Sequence, residues 1–92
     1  MLGQRINELR IAFGWNQVQL AEKLSISKQT VSNWENDNIQ PSIEMLVRIA
    51  KLFHVSTDYL LGLDNTPHIN VEGLPLSFVA HLTQIAEDYK NK

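Results

Sequence analysis

Between positions 28 and 36, polar side chains share one face of a short predicted helix. At about 100° per residue they fall within an arc of roughly 140°. They are Lys28, Gln29, Ser32, Asn33 and Asn36. Amide side chains pair bidentately with adenine edges, lysine binds guanine acceptors, and serine binds either base. This set of side chains therefore has the chemistry needed to read base pairs in a groove of duplex DNA.

A solvated helix face is the alternative interpretation of the same residues, and for an exposed polar face taken alone it is the more common one. This face lacks the mixture of Glu and Lys that is typical of an idle surface helix. The opposite side carries Thr30, Val31 and Trp34, so we expect that side to pack on a core and leave the polar face outside.

A second short helix and a tight turn precede this helix and would position it. Asn16 is a suitable N-cap for a helix over Gln17–Leu24, and Gln19 is placed to complete a capping box. Ile26 lies in the turn, where an apolar side chain would anchor the chain to a core. Ser27 then caps the helix that carries the polar face.

This stretch resembles the helix-turn-helix of the lambda-repressor/Cro family, also called the XRE family. The resemblance combines residue types with their spacing and covers about Leu2 to Gly62, about two thirds of the chain. The matching residues are Gln17, Leu20, Ala21, Leu24, Ile26, Ser27, Val31, the run Trp34-Glu35-Asn36, Pro41 and Leu46 to Ala50. It implies an all-α fold, a five-helix lambda-repressor-like DNA-binding domain, to which the remaining sequence adds a C-terminal amphipathic helix.

The resemblance also implies roles for individual residues. Base edges would be read by Lys28, Gln29, Ser32 and Asn33. The DNA backbone would be held by Gln17, as by the family's residue at that position, with help from Asn16, Asn36 and Asn38. Arg10 and Glu35 match two family residues that form an ion pair between the first and third helices. Such a pair would position the recognition helix without touching DNA; the alternative is two unrelated surface charges.

The charge balance is unusual for a protein that binds DNA. The chain carries 8 Lys and Arg against 10 Asp and Glu, a net charge of −2. Residues 1–62 are neutral, so backbone amides and helix N-termini would supply much of the phosphate contact. Asp37 stands where the family favours Gly, and we expect it to place a negative charge beside the phosphate backbone. Ser25 also stands where Gly is common, at a strain of about 1 kcal/mol.

Apolar spacing and capping residues predict three further helices in this domain. The first spans about Leu2–Phe13, and the fourth begins after Ser42. The fifth lies between Ser56 and Gly62. The residues expected to face the core are Leu2, Ile6, Leu9 and Phe13 in the first, Ile43, Leu46, Ile49, Ala50 and Phe53 in the fourth, and Tyr59 and Leu61 in the fifth.

A linker at 63–74 separates the domain from a last helix at 75–92, in which Pro75 suits the first helical position. Within the linker, Ile69 and Val71 could form a short extended arm. An apolar stripe follows the helix at spacings of three and four: Phe78, Val79, Leu82, Ile85, Ala86 and Tyr89. A helix of this length is marginal alone in water, so the stripe must be buried. We expect it to pack on a second copy in a homodimer; the alternative is that it folds back onto its own domain.

No grouping of residues suggests catalysis, a cofactor or a metal site. His54, His68 and His81 are scattered, and turn-forming residues around His68 argue against a helical metal pair with Glu72. The sequence has no cysteine, no recognisable signal peptide and no apolar run as long as a membrane span. These features predict a cytoplasmic protein that is not an enzyme, needs no cofactor and does not contact a membrane.

The resemblance therefore implies a sequence-specific transcriptional regulator, with repression as the expected sign of control, whose partner is double-stranded DNA. Two subunits would place their recognition helices in successive major grooves, about 34 Å apart, on a near-palindromic operator. The alternative is an antitoxin or adaptor that acts mainly through another protein, with the acidic C-terminal segment as the contact.

Overall fold

The computed structural model describes residues 2–65, 68 and 71–91, and this part of the chain forms six helices. They are α1 Leu2–Ala12, α2 Gln17–Leu24, α3 Lys28–Glu35, α4 Ile43–Phe53, α5 Thr57–Leu60 and α6 Leu76–Lys90. No strand occurs among the described residues, and the predicted all-α fold is confirmed. Ile69 of the predicted extended arm lies outside the described residues. None of the helices in the described ranges is long and apolar enough to cross a membrane.

Side-chain caps begin helices α2 to α5 as predicted. Asn16 Oδ1 accepts from the Gln19 backbone N–H at 2.8 Å, and Gln19 Oε1 accepts from the Asn16 N–H at 2.8 Å, which completes the capping box. Three later helices begin after a serine whose hydroxyl accepts from the third helical residue, and these serines are Ser27, Ser42 and Ser56. Pro75 lies one position earlier than predicted, at the N-cap of α6, with ψ 151°.

Helices α1 to α5 enclose one hydrophobic core. Helix α3 packs on α1 and α2, and α5 packs on α1 and α4. The largest fully buried side chains are Phe53, Ile6, Leu20, Ile49, Leu60 and Val31. Ile26 packs against this core from the turn between α2 and α3, as predicted. Because α3 buries Val31 and Trp34, its opposite face is left to solvent.

Two apolar residues predicted to face the core lie at the surface instead. Ile43, the first residue of α4, is 83% exposed, whereas Met45 packs against the core. Leu61 is 46% exposed, and the preceding Leu60 is the buried residue of α5. Apolar spacing identifies the residues that share a face of a helix, but not how far along the helix its neighbours extend.

Phe13 was also predicted to face the core from α1, but α1 ends at Ala12 and Phe13 is 43% exposed. It lies in an aromatic cluster at the edge of the domain, with ring centroids 5.1 Å from Trp15 and 5.0 Å from Phe53. Edge-to-face and tilted ring pairs at these distances are favourable. The side chain therefore packs against Trp15 and the buried Phe53, while part of its own surface stays exposed.

Helix α6 contributes no buried residue to the molecule. Two residues of its stripe face the aromatic cluster across an apolar cavity of about 250 Å³, which is lined by Phe13, Phe53, His54, Leu74, Phe78 and Leu82. Further along the stripe, Ile85 and Tyr89 are 52% and 77% exposed. The helix thus lies over its own domain at one end of the stripe, where Val79 and Leu82 are half-buried, and the other four residues of the stripe are exposed.

Candidate nucleic-acid interface

The residues predicted to contact bases lie together on the solvent side of α3. We call this set the recognition surface: Lys28, Gln29, Ser32 and Asn33. The first two residues are exposed and the other two are half-buried. On the opposite side of the helix, Val31 is fully buried and Trp34 is 3% exposed. The buried side fixes the helix, and a cation, two amides and a hydroxyl project from the other.

Side chains one turn apart on α3 are hydrogen bonded to each other. Gln29 Nε2 donates to Asn33 Oδ1 at 3.1 Å, and Asn36 Nδ2 donates to Ser32 Oγ at 3.3 Å. A spacing of four residues brings such side chains together on a helix. Gln29 keeps its carbonyl oxygen and a second N–H available, and this is the pair of groups that a bidentate contact with adenine requires.

The residues predicted to contact the DNA backbone lie at the ends of α2 and α3. Asn36 and Asn38 are exposed directly after α3, and the Asn16 oxygen is used as the cap of α2. Gln17 is half-buried, and its Nε2 donates to Glu35 Oε1 at 3.2 Å. The Gln17 amide therefore has one bond inside the protein and a second N–H that a phosphate oxygen could accept.

Glu35, the last residue of α3, is the centre of a polar network between α1 and α3. Arg10 Nε lies 2.7 Å from Glu35 Oε2, and Arg10 Nη2 donates to Oε1 at 3.0 Å. Asn7 Nδ2 donates to the same Oε1 at 2.9 Å. The side chains of Arg10 and Glu35 are only 13% and 5% exposed. The ion pair implied by the resemblance is thus present in the structure, and Asn7 is a partner that sequence reasoning missed.

The network keeps both ends of the ion pair charged. Burial alone raises the pKa of the Glu35 carboxyl, but hydrogen bonds from Arg10, Asn7 and Gln17 outweigh it, so the pKa lies below its usual value. The hydrogen bond to Glu35 raises the pKa of the Arg10 guanidinium, against the opposing effect of burial. Arg10 Nη1 also donates to the Trp15 carbonyl oxygen at 2.9 Å, which ties the pair to the start of α2.

Most cations of the domain are engaged within the protein. The contacts are Arg5 at 3.9 Å over the Tyr59 ring, Lys23 at 4.5 Å over the Trp15 ring, Arg48 Nη2 donating to the Leu24 carbonyl oxygen at 2.8 Å, and the Arg10 ion pair. In the described stretch 2–62, only Lys28 and Lys51 lack such a contact. Lys28 is therefore the cation of the recognition surface, and its ammonium group is available to a ligand.

Three helices of the domain are followed by a non-glycine residue in the left-handed conformation, with φ 57° at Ser25 and His54, which cap α2 and α4, and at Asp37, two residues after α3. After each residue the chain bonds back to the last helical turn, as in a Schellman motif. These bonds are Ile26 N to Ala21 O, Asn38 N to Asn33 O, and Val55 N to Ala50 O. The sequence predicted strain at Ser25 and a departure from the family's Gly at Asp37, and it singled out neither feature at His54. Asp37 differs from the others because its Oδ1 accepts from the Gly3 N–H at 3.1 Å.

A capped helix, a tight turn anchored in the core and a second helix with a polar outer face together define a helix-turn-helix DNA-binding domain. The helix-turn-helix family model matches residues 6–60, more than half of the chain, and the chain belongs to this family.

Relatives and solved structures agree with this class. The chain is 42% identical over 69 residues to the HTH-type transcriptional regulator ImmR of Bacillus subtilis (strain 168), which covers 75% of this chain and 54% of that protein. The chain thus spans about half the length of that relative. The P22 c2 repressor in complex with a synthetic operator matches with a TM-score of 0.65 and 31% identity, over 70% of this chain and 97% of the repressor chain.

The likeness to a further solved structure extends over α6. A chain of the SinR protein/SinI protein complex, with SinR from Bacillus subtilis, matches with a TM-score of 0.63 and 25% identity, and the match covers 100% of both chains. The predicted fold class, a lambda-repressor-like domain, is confirmed by these matches together with the observed helices.

Proposed function

We propose that this protein is a sequence-specific DNA-binding transcriptional regulator, a repressor that binds a near-palindromic operator as a dimer. The observation that carries the proposal is the recognition surface, which projects from α3 while Val31 and Trp34 anchor the helix in the core. The likeness to the P22 c2 repressor, whose structure was solved with a synthetic operator, supports duplex DNA as the ligand.

Base readout follows from the chemistry of the recognition surface. The N-terminal part of a recognition helix contacts base edges in the major groove. There Lys28 would bind guanine acceptors, and Gln29 would pair with adenine through the groups that its bond to Asn33 leaves available. Ser32 and Asn33 would complete the contact one turn further along the helix.

Phosphate contacts come mainly from uncharged groups. Gln17 would donate its remaining N–H to a phosphate, and the side chains that assist it are Asn16, Asn36 and Asn38. Residues 1–62 are neutral, and most of their cations already have partners in the protein. We therefore expect weak binding to random DNA and a shallow dependence on salt, since each neutralised phosphate steepens the slope of log K against log salt by about 0.9. A titration that indicated ten or more released counterions would contradict this expectation.

The dimer would be built by α6. Its stripe comprises Phe78, Val79, Leu82, Ile85, Ala86 and Tyr89, and none of these residues is buried in the single chain. Packing on a second copy would bury the stripe and would bring two recognition surfaces to successive major grooves, about 34 Å apart. In this arrangement residues 1–62 bind DNA, 63–74 form the linker and 75–92 form the dimerisation element.

Selection of bound duplexes from a random pool tests the proposal. The wild-type protein should recover a shared, near-palindromic sequence. Gln29→Ala should cost about 1–3 kcal/mol at that sequence and relax one base position in each half-site.

Gln84→Ala is the matched control for this selection, because Gln84 Nε2 donates to Asp88 Oδ1 four residues on, as Gln29 does to Asn33, but does so on α6. It should leave selectivity unchanged. A pool without any shared sequence would contradict the proposed function. Unchanged selectivity in Gln29→Ala would remove only this residue from the recognition surface.

A further inference from the structure

The first turn of α1 packs directly on the last turn of α3. A Cβ atom on Gly3 would collide with the Trp34 carbonyl oxygen and lie 2.9 Å from the Glu35 carbonyl oxygen, so only glycine permits this approach. The Gly3 N–H donates to Asp37 Oδ1 at 3.1 Å, directly beside that contact. The contact joins the positive end of one helix dipole to the negative end of another.

Asp37 occupies a position where glycine would be free of strain. Its φ of 57° lies in the left-handed region, and glycine is the usual residue at this point after a helix. Its carboxylate satisfies an amide in the first turn of α1, where backbone donors lack a partner within the helix. Ser25 and His54 share the same φ, but neither makes a side-chain hydrogen bond in the described part of the chain.

One face of α1 holds the C-terminal end of α3 at several points. Gly3, Asn7 and Arg10 are four and three residues apart, a spacing that places them on the same side of a helix. They contact, in order, Asp37 and the end of α3, the Glu35 carboxylate, and the same carboxylate again. Helix α3 has only eight residues, so the position of this end determines the direction of its axis.

We propose that Asp37 is a positioning residue for DNA readout. Its hydrogen bond to the Gly3 N–H, which we call the α1–α3 clasp, holds α1 against the end of α3 and so sets the direction in which the recognition surface projects. The inference rests on the proposed DNA-binding function. Asp37 touches no base in this role. In the structure its Oδ1 accepts the Gly3 N–H at the start of α1.

The test compares Asp37→Gly with Asp37→Asn, using fluorescence anisotropy on the selected operator and on a random duplex. Asp37→Gly should weaken operator binding about tenfold, because the bound state must then hold the direction of α3 without this hydrogen bond to a charged acceptor, and should leave random-duplex binding within about threefold. Asp37→Asn keeps a side-chain oxygen for the Gly3 N–H and should stay within about threefold of wild type on the operator. Ser25→Gly also replaces a left-handed residue by glycine but removes no bond between α1 and α3, so it should change neither operator binding nor random-duplex binding.

The change in DNA affinity caused by Asp37→Gly distinguishes a positioning role of Asp37 from simple repulsion of the phosphates. If the carboxylate only repelled phosphates, its removal would strengthen binding to both duplexes, and that result would overturn the proposal. An equal loss on both duplexes would also overturn it, because a positioning role acts on the operator preference.

Amide hydrogen exchange in the free protein separates failure of the clasp from failure of the proposed function. The Gly3 N–H should be protected in the wild type and in Asp37→Asn, and should exchange about tenfold faster in Asp37→Gly. Equal exchange rates of the Gly3 N–H in wild type and Asp37→Gly would overturn the proposed role of its bond to Asp37, even if DNA binding were established. If no duplex were selected, the proposed function would fail while the exchange result still decided the clasp.

Discussion

Residues in the left-handed backbone conformation after helices carry local strain, which single substitutions can measure as a change in the free energy of unfolding. Ser25 and His54 both have φ 57° and no side-chain bond in the described part of the chain that offsets the strain. A non-glycine residue in this region of φ and ψ costs about 1–2 kcal/mol, and glycine would remove that strain. Part of the resulting gain in stability is lost, because glycine has more conformational freedom in the unfolded chain.

Replacing either residue by glycine should therefore stabilise the protein. We expect Ser25→Gly and His54→Gly each to raise the free energy of unfolding by about 0.5–1 kcal/mol, measured by urea denaturation. Asp37→Gly should give no such gain, because it also removes the bond to the Gly3 N–H. Destabilisation by both of the first two variants would show that strain at these positions is not the dominant effect.

At the scale of elements, the ion pair between Arg10 and Glu35 joins α1 to the end of α3. Both side chains are largely buried, so removing Arg10 leaves the Glu35 carboxylate without a counter-ion and with only the amides of Asn7 and Gln17 as donors. Replacing both partners by apolar side chains avoids that penalty and is often neutral or stabilising.

Arg10→Met should lower the free energy of unfolding by about 3–5 kcal/mol, and the double variant Arg10→Met/Glu35→Leu should recover most of the loss. The measurement is urea denaturation of the singles and the double. Glu8→Gln serves as a control, since Glu8 is an exposed residue of the same helix whose partner is the uncharged Gln4. A double variant that is no more stable than Arg10→Met would exclude the uncompensated charge as the cause.

The Glu35 carboxyl also predicts a pH dependence. Its pKa in the folded protein is lowered, whereas the unfolded value is about 4.3. At a pH between these two pKa values the unfolded chain therefore binds more protons than the folded protein. The contribution of Glu35 to the free energy of unfolding is complete above about pH 5 and is lost as the pH falls through its folded pKa.

Urea denaturation between pH 7 and about pH 3 should show this loss in the wild type and a weaker dependence in Glu35→Gln. The variant keeps an acceptor oxygen at this position but does not titrate. Parallel curves for the two proteins would mean that other carboxyl groups account for the acid sensitivity.

At the scale of the whole molecule, α6 carries an apolar stripe that its own domain covers only in part. It leaves Ile85 and Tyr89 exposed and has no buried residue, while the core of the described domain is complete without it. Large apolar side chains that remain exposed on one side of a helix, as Phe78, Ile85 and Tyr89 do, are typical of an interaction surface.

A chain truncated after Asp64 should remain folded, sediment as a monomer and bind a single half-site. In the full chain, Ile85→Glu should have the same effect on assembly, because it places a charge in the stripe. Ala80→Glu, which adds the same charge at an exposed residue of α6 outside the stripe, should leave the assembly unchanged. If the truncated chain sediments as a dimer, α6 is not the dimerisation element.

Much of the candidate site could be predicted because its determinants lie within a few residues of each other. The bounds of α2, the start of α3 and the caps at Asn16 and Ser27 follow from local hydrogen bonding. The outward direction of the recognition surface follows from helical periodicity, since Val31 and Trp34 must face the core.

The remaining features depend on contacts between distant parts of the chain. Asp37 bonds to Gly3, 34 residues away, and Asn7 bonds to Glu35, 28 residues away. No spacing rule relates these pairs, so sequence reasoning found neither the bond between Gly3 and Asp37 nor the contribution of Asn7.

By itself, the sequence determined the helices, their caps and the polar face of α3, because each of these depends on the chain's own short-range geometry. Only the tertiary structure decided the exposure of Ile43 and Leu61, the bond partner of Asp37 and the unburied state of α6. These features are set by where separate elements meet, and periodicity within one element carries no information about the position of another.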